Sequence, residues 1–178
     1  GGQPADRGYI AKSKVKYVYE KNDEVYHVLD ELPEKTNNIQ CKIDWERRFD
    51  LMQQHTGQHL LSAVLEDLYE VWTESFHIGK EDVTIDIDKE LTKEEIVKAE
   101  ERINEIIYQN RKIEVEYPSQ DELADMDLRK EPTIDQGIRI VRIVDTDISP
   151  CGGTHLHSTG ELGLISIIDT ENYKGGMR

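Results

Sequence analysis

His55 and His59 stand four residues apart. On a helix that spacing puts both imidazoles on one face about one turn apart, near enough to grip a single ion. Two histidines at this spacing also arise by accident on a polar helix edge, so the pair needs partners before it signals metal. Cys151 and His155 form a second pair within Ser149-Pro150-Cys151-Gly152-Gly153-Thr154-His155, where the two glycines let the backbone turn and bring both side chains inward. The four residues make a His3Cys set. Thiolate and imidazole at tetrahedral distances of about 2.0 to 2.3 Å suit Zn2+, whereas calcium and magnesium want oxygen ligands. The competing reading is a buried apolar Cys151 beside a turn histidine, and His157 offers itself as a substitute for His155. Thr56 follows the first histidine where the zinc metalloprotease helix carries its general-base Glu, so peptide hydrolysis by that route is not expected.

The elements that must position these residues follow from periodicity. Val15 to Tyr19, Val25 to Leu29 and Ile39 to Ile43 have β-type composition and read as strands of a small sheet or barrel, with the polar Leu32–Asn38 stretch as a loop. From Asp50 the period changes. Leu51, Leu61, Val64, Leu65, Leu68 and Trp72 then fit one face of a helix that carries His55 and His59. Val83, Ile85 and Ile87 alternate with polar residues as in a half-buried strand. Thr92 and Glu95 form a capping-box pattern ahead of the stripe Ile96, Ala99, Ile103, Ile106 and Ile107, which predicts a second long helix. A strand over Ile113 to Tyr117, a short helix after Ser119 with Glu122 as capping partner, and strands over Ile138 to Val144 and Leu164 to Ile168 complete the order. Without regular βαβ alternation this is an α+β fold, not a doubly wound parallel sheet.

Composition narrows the function classes. The 178 residues are 37% hydrophobic and 33% charged, as in a globular chain. No apolar run approaches the roughly 20 residues that cross a bilayer, no leader pattern opens the chain, and two cysteines are too few for a secreted disulfide scaffold. A cytoplasmic location is expected, and neither membrane nor DNA is expected as a partner. The net charge of -15 argues against broad phosphate binding. Arg47 with Arg48 and Arg139 with Arg142 are the candidates for a local basic patch, although such pairs are ordinarily solvated surface. The abrupt opening at Gly1-Gly2-Gln3-Pro4 and the close on Gly175-Gly176-Met177-Arg178 suggest a fragment.

Gln54-His55-Thr56-Gly57-Gln58-His59-Leu60-Leu61-Ser62-Ala63, Phe76-His77-Ile78-Gly79, Thr84-Ile85-Asp86-Ile87-Asp88 and Cys151-Gly152-Gly153-Thr154-His155 with Thr159-Gly160-Glu161-Leu162-Gly163 resemble the AlaX family. That family shares its domain with the editing regions of alanyl- and threonyl-tRNA synthetases. Gly1-Gly2-Gln3-Pro4, Asp6 and Gly8 resemble the glycine-rich segment of the small barrel in longer members. The resemblance implies a two-layer, helix-on-antiparallel-sheet editing domain over 46–178, preceded by part of a small β-barrel over 1–45. It implies hydrolysis of the ester joining serine, with glycine as a second candidate, to the 3′ acceptor end of alanine-specific tRNA. It also places Thr73 near a polar residue that senses the substrate hydroxyl, with a plain strand-opening role as the alternative. Gln58 is a second candidate for holding substrate, against simple surface exposure. Two other readings stay open: an editing fragment of an alanyl-tRNA synthetase, and a noncatalytic zinc-stabilised tRNA-binding module. His77 and His27 are read as outside the chemistry, and Trp72 and Tyr69 as core, although an exposed aromatic would suit stacking on the terminal adenosine.

Overall fold

The computed structural model describes residues 3–22, 24–34, 37–79 and 82–178. Gly1 and Gly2 of the opening segment, and Lys35 and Thr36 of the Leu32–Asn38 loop, lie outside the described residues. The first four strands are β1 (Gly8–Ile10), β2 (Ser13–Lys21), β3 (Glu24–Leu29) and β4 (Cys41–Ile43). They form an antiparallel sheet in the order β3-β2-β1-β4, open at both ends and not a closed barrel. Asp44 then caps helix α1 (Trp45–Tyr69) by accepting from the Arg47 amide, so the helix begins five residues before the expected Asp50.

Most of α1 between Leu51 and Leu65 is buried, because elements pack on more than one side of it. A single apolar stripe therefore describes it poorly: Leu60 is fully buried and Leu68 is exposed. Glu70 ends the helix in the left-handed region at φ 53°. Val71 then drops into the core, and extended alternation turns its neighbour Trp72 outward, 48% exposed, contrary to the expected core position. Tyr69 stays half-buried against the core.

Strand β5 (Thr73–Ile78) pairs with β6 (Val83–Ile87). Helix α2 (Lys93–Tyr108) follows, with the Thr92/Glu95 capping box formed and Ala99, Ile103, Ile106 and Ile107 buried in one core with Leu60, Val64 and Leu65 of α1. β7 (Ile113–Glu116), the short helix α3 (Gln120–Ala124) with its Ser119/Glu122 box, β8 (Ile140–Ile143) and β9 (Asp147–Pro150) come next. β7-β8-β9 make a three-stranded antiparallel sheet. A 3-10 turn (Thr159–Leu162) and the strands β10 (Asn172–Tyr173) and β11 (Gly176–Met177) close the order, with β10-β11-β6-β5 as the remaining sheet. Helices α1 and α2 pack on antiparallel sheet, an α+β arrangement.

Leu164 to Ile168 is not a strand. The segment is extended, but its backbone bonds run to side chains of α2 instead of to a ladder. The Ile165 amide donates to Asn104 Oδ1, Asn104 Nδ2 donates back to the Ile165 carbonyl, and the Ile167 amide donates to Glu100. Alternation survives, with Ile165 and Ile167 half-buried and Leu164 and Ile168 exposed, so the sequence shows a strand's pattern without a strand's pairing. Asn104→Ala should therefore raise hydrogen exchange at the Ile165 amide by on the order of tenfold, as two local bonds are lost. Unchanged protection there would mean that another partner holds the segment.

Candidate metal centre

The i, i+4 spacing on α1 and the turn after β9 bring the two pairs together. One donor atom from each of His55, His59, Cys151 and His155 lies within 4.8 Å of every other. The three histidines are buried and Cys151 is half-buried. Cys151 Sγ is 3.5 Å from His55 Nε2 and 3.3 Å from His155 Nε2. Tetrahedral zinc with its usual bond lengths separates ligand atoms by roughly 3.3 to 3.8 Å, so a small contraction would fit these donors around one ion. His157 is exposed outside the group, as are His77 on β5 and His27 on β3.

The outer ring nitrogens have partners too. His55 Nδ1 is 3.1 Å from Gln3 Oε1, His59 Nδ1 is 3.0 Å from Asp147 Oδ2, and His155 Nδ1 is 3.2 Å from Thr56 Oγ1. Each imidazole is thereby fixed with Nε2 free for the centre, as metal-binding histidines usually are. Gln3 also grips the turn, bonding to the Thr154 amide and hydroxyl. Arg139 Nη1 donates to the carbonyls of Cys151 and Gly153, which holds the loop from the other side. Gly153 passes so close to His55 that an added methyl would overlap the ring. Gln3, Thr56, Arg139 and Asp147 carried no spacing signal, since their partners are up to 151 residues away.

Electrostatics prepare the donors. Burial pushes the Cys151 thiol up, but hydrogen bonds from the surrounding histidines outweigh it and hold the thiol at about 3, a thiolate at neutral pH. Burial also lowers His155, to about 4, against the pull of Cys151, so it presents a neutral nitrogen. Asp147 is raised by burial yet held at about 2 by His59 and Arg129. Ser149 donates to the same carboxylate.

Beyond the donors, both substrate candidates belong to one polar chain. Gln58 is buried at 4% exposure, which corrects the surface reading, and its Nε2 donates to Ser62 Oγ at 2.8 Å. Ser62 Oγ is 2.6 Å from Thr73 Oγ1. Ser62 had not been singled out. A cleft of about 730 Å³ opens beside α1 between Gln54, Gly57, Gln58, β6 and the 164–171 segment, and none of the four donors lines it.

Residues 138–178 match the threonyl and alanyl tRNA synthetase second additional domain, a span that includes Cys151 and His155. The chain is 40% identical to alanyl-tRNA editing protein AlaX-L of Pyrococcus horikoshii, over 94% of this chain and 44% of that protein. It is 36% identical to alanyl-tRNA editing protein Aarsd1 of Bos taurus, over 98% of this chain and 40% of that protein. Over nearly its whole length this chain is thus a relative of alanyl-tRNA editing proteins. A further relative is the alanine–tRNA ligase of Ignicoccus hospitalis, 36% identical over 99% of this chain and 21% of the ligase. The chain thus spans less than half the length of these curated relatives.

The arginine pairs do not form an open basic patch. Arg48 is ion-paired with Asp6, Arg47 bonds to the Ala5 carbonyl, and Arg142 is paired with Glu116. No helix among the described residues is long and apolar enough to cross a membrane.

Metal analysis should show marked loss of bound metal in His59→Ala and in Gly153→Ala, the latter because the methyl displaces the His55 ring. Full occupancy in alanine variants of all four donors would end the assignment. For Asp147, a carboxyl held below its ordinary value favours the folded state above about pH 4, and that contribution fades as pH falls towards 2. A shift of this size corresponds to about 2 kcal/mol. Asp147→Asn should therefore lie below the wild type at pH 7 and converge with it near pH 2 in denaturant titrations; a constant gap would contradict this linkage.

Proposed function

We propose that this chain is a zinc-dependent editing hydrolase that removes serine, with glycine as a second candidate, from the 3′ acceptor end of alanine-specific tRNA. The unit that carries the activity is taken as 46–178, with 1–45 as part of a small N-terminal β unit. The observation that carries the reading is the Gln58–Ser62–Thr73 chain, whose first two members share α1 with the donors His55 and His59, in a relative of alanyl-tRNA editing proteins. A synthetic site for alanine rejects glycine and serine poorly, so a second hydrolytic site must supply the missing discrimination. Hydroxyls beside the reacting centre suit that task. A substrate hydroxyl can pair with Thr73, whereas alanine would leave Thr73 unpartnered.

The donor set fits zinc, since it mixes one thiolate with three imidazoles whose ligand atoms lie within reach of a single ion. When bound, the ion would supply Lewis-acid polarisation or an ordered water at the ester. The protein's share is positional. Gln3, Thr56 and Asp147 orient the imidazoles, Arg139 holds the Cys151–Gly153 turn, and Thr73 meets the side chain of the substrate. Four protein donors fill a tetrahedral shell, which also favours a second reading, a zinc-stabilised binding module without catalysis. Zinc removal separates the two: a structural site should unfold the domain, while a catalytic one should lose activity with the fold largely kept. Relatedness to an alanine–tRNA ligase keeps a longer synthetase parent in view.

The tRNA is proposed to engage through its single-stranded end in the cytoplasm, because the net charge of -15 and internally paired arginines leave little to neutralise a phosphate backbone. Trp72, exposed beside Lys89, is available to stack on the terminal base. Binding should be weak and salt-sensitive, and similar for full tRNA and a short acceptor-stem mimic. A much tighter grip on full tRNA that persists at high salt would relocate recognition.

Deacylation of seryl-, glycyl- and alanyl-tRNA for alanine tests the reading directly, with alanyl-tRNA expected to survive. Thr73→Val, nearly isosteric but without the hydroxyl, should slow serine removal by about tenfold or more while metal content is kept. Equal rates would leave Thr73 as a packing residue.

A further inference from the structure

Thr73 reaches the site only because β5 is irregular. It pairs with Ile87, while Ser75 pairs with Asp86, so two positions on β5 are matched by one on β6 and the strand carries a bulge at Glu74. In a regular strand Thr73 would share a face with Ser75 and His77, which are exposed. The extra residue instead puts it on the face of Phe76, whose ring stacks on His55 at 5.8 Å, and of the buried Ile78. That face looks onto α1. His55, His59 and Ser62 are spaced i, i+4, i+7 and share one stripe of the helix, with Ser62 about 4.5 Å further along the axis than His59. The hydroxyl that Thr73 meets is therefore on the same stripe as the metal donors.

Hydrogen counting then fixes the polarity of the contact. Gln58 Nε2 donates to Ser62 Oγ. Ser62 is 2% exposed, and its hydroxyl has one proton and no acceptor other than Thr73 Oγ1 among the described residues. If Thr73 donated to Ser62, the Ser62 proton would be buried without a partner, which is unfavourable. Ser62 must be the donor. Thr73 Oγ1 makes no other hydrogen bond among the described residues, so its own proton is left for a ligand.

Resting on the editing function proposed above, we infer that Ser62 is a specificity-determining positioning residue. Polarised by Gln58, it occupies the acceptor side of Thr73 and makes Thr73 present an O–H donor to the hydroxyl oxygen of a seryl ester. Ser62 does not touch the substrate; its effect appears only when the substrate carries an oxygen for Thr73 to meet. Removing it frees the Thr73 hydroxyl to rotate and leaves the Gln58 amide without its acceptor.

The test compares seryl- and glycyl-tRNA as substrates of the metal-loaded protein, with metal content and thermal melting measured alongside. Ser62→Ala should slow seryl-tRNA deacylation about tenfold, mainly in kcat, and leave the glycyl rate within about twofold. Ser62→Thr, which keeps the hydroxyl, should restore the seryl-to-glycyl ratio. If Ser62→Ala does not fold, Gln58→Met provides the second arm. It removes the donor that sets the Ser62 proton, and the ratio should fall with bound metal retained. Parallel losses on both esters, or an unchanged ratio in the folded variants, would overturn the inference and leave the editing function standing. A wild-type protein that releases neither amino acid would instead defeat the editing function, and this inference with it.

Discussion

Three buried imidazoles around one sulfur set the terms for the rest of the molecule. An imidazole has two polar ends, and a buried one needs both satisfied. The inner ends of His55 and His155 meet Cys151, and the outer ends of all three histidines are met by Gln3, Asp147 and Thr56. Those partners come from the opening segment, from β9 and from α1 itself. Asp147 needs further partners for its own burial and takes them from Arg129 and Ser149. Each satisfied group thus recruits another stretch of chain, and the centre ties together segments that share no sheet.

Helix α1 is the ruler for this assembly. Its 25 residues start at the Asp44 cap and end at the left-handed Glu70, and its stripe through His55, His59 and Ser62 aligns the donors with the polar chain to Thr73. Neighbouring stripes bury Met52, Leu60, Val64 and Leu65 in the core shared with α2. A helix packed on several sides can carry buried polar residues only where they find partners, which is why Gln58, Ser62 and Thr56 all bond to side chains. Function and packing use different faces of one element, so substitutions on either face remain separable.

Charge is organised with the same economy. The chain is strongly acidic, yet its arginines near the site point inward: Arg139 to the carbonyls of the ligand turn, Arg129 to Asp147, Arg48 to Asp6. They stabilise loops whose geometry the donors need, at the expense of a phosphate-binding surface. An RNA partner approached end-on suits this distribution better than one gripped along its backbone.

Much of this was legible in the residues alone. Local signals had local causes: the capping boxes at Thr92/Glu95 and Ser119/Glu122, the stripe on α2, the strand β6 and the two donor pairs all depend on neighbours within one or two turns, and the structure forms each of them. The misplaced features depended on distant contacts. Leu164 to Ile168 has a strand's alternation, but Asn104 and Glu100 took its backbone bonds; Gln58 is buried because elements cover α1 on several sides; Trp72 turned outward when Val71 was drawn into the core. The bulge that aims Thr73 at Ser62 exists only in the register between β5 and β6. By itself the sequence determined which residues could bind metal and which local elements carry them, because periodicity and short-range hydrogen bonds act along the chain. Only the tertiary structure decided what completes the site, because the outer partners of the histidines and the Ser62–Thr73 contact arise where remote segments meet.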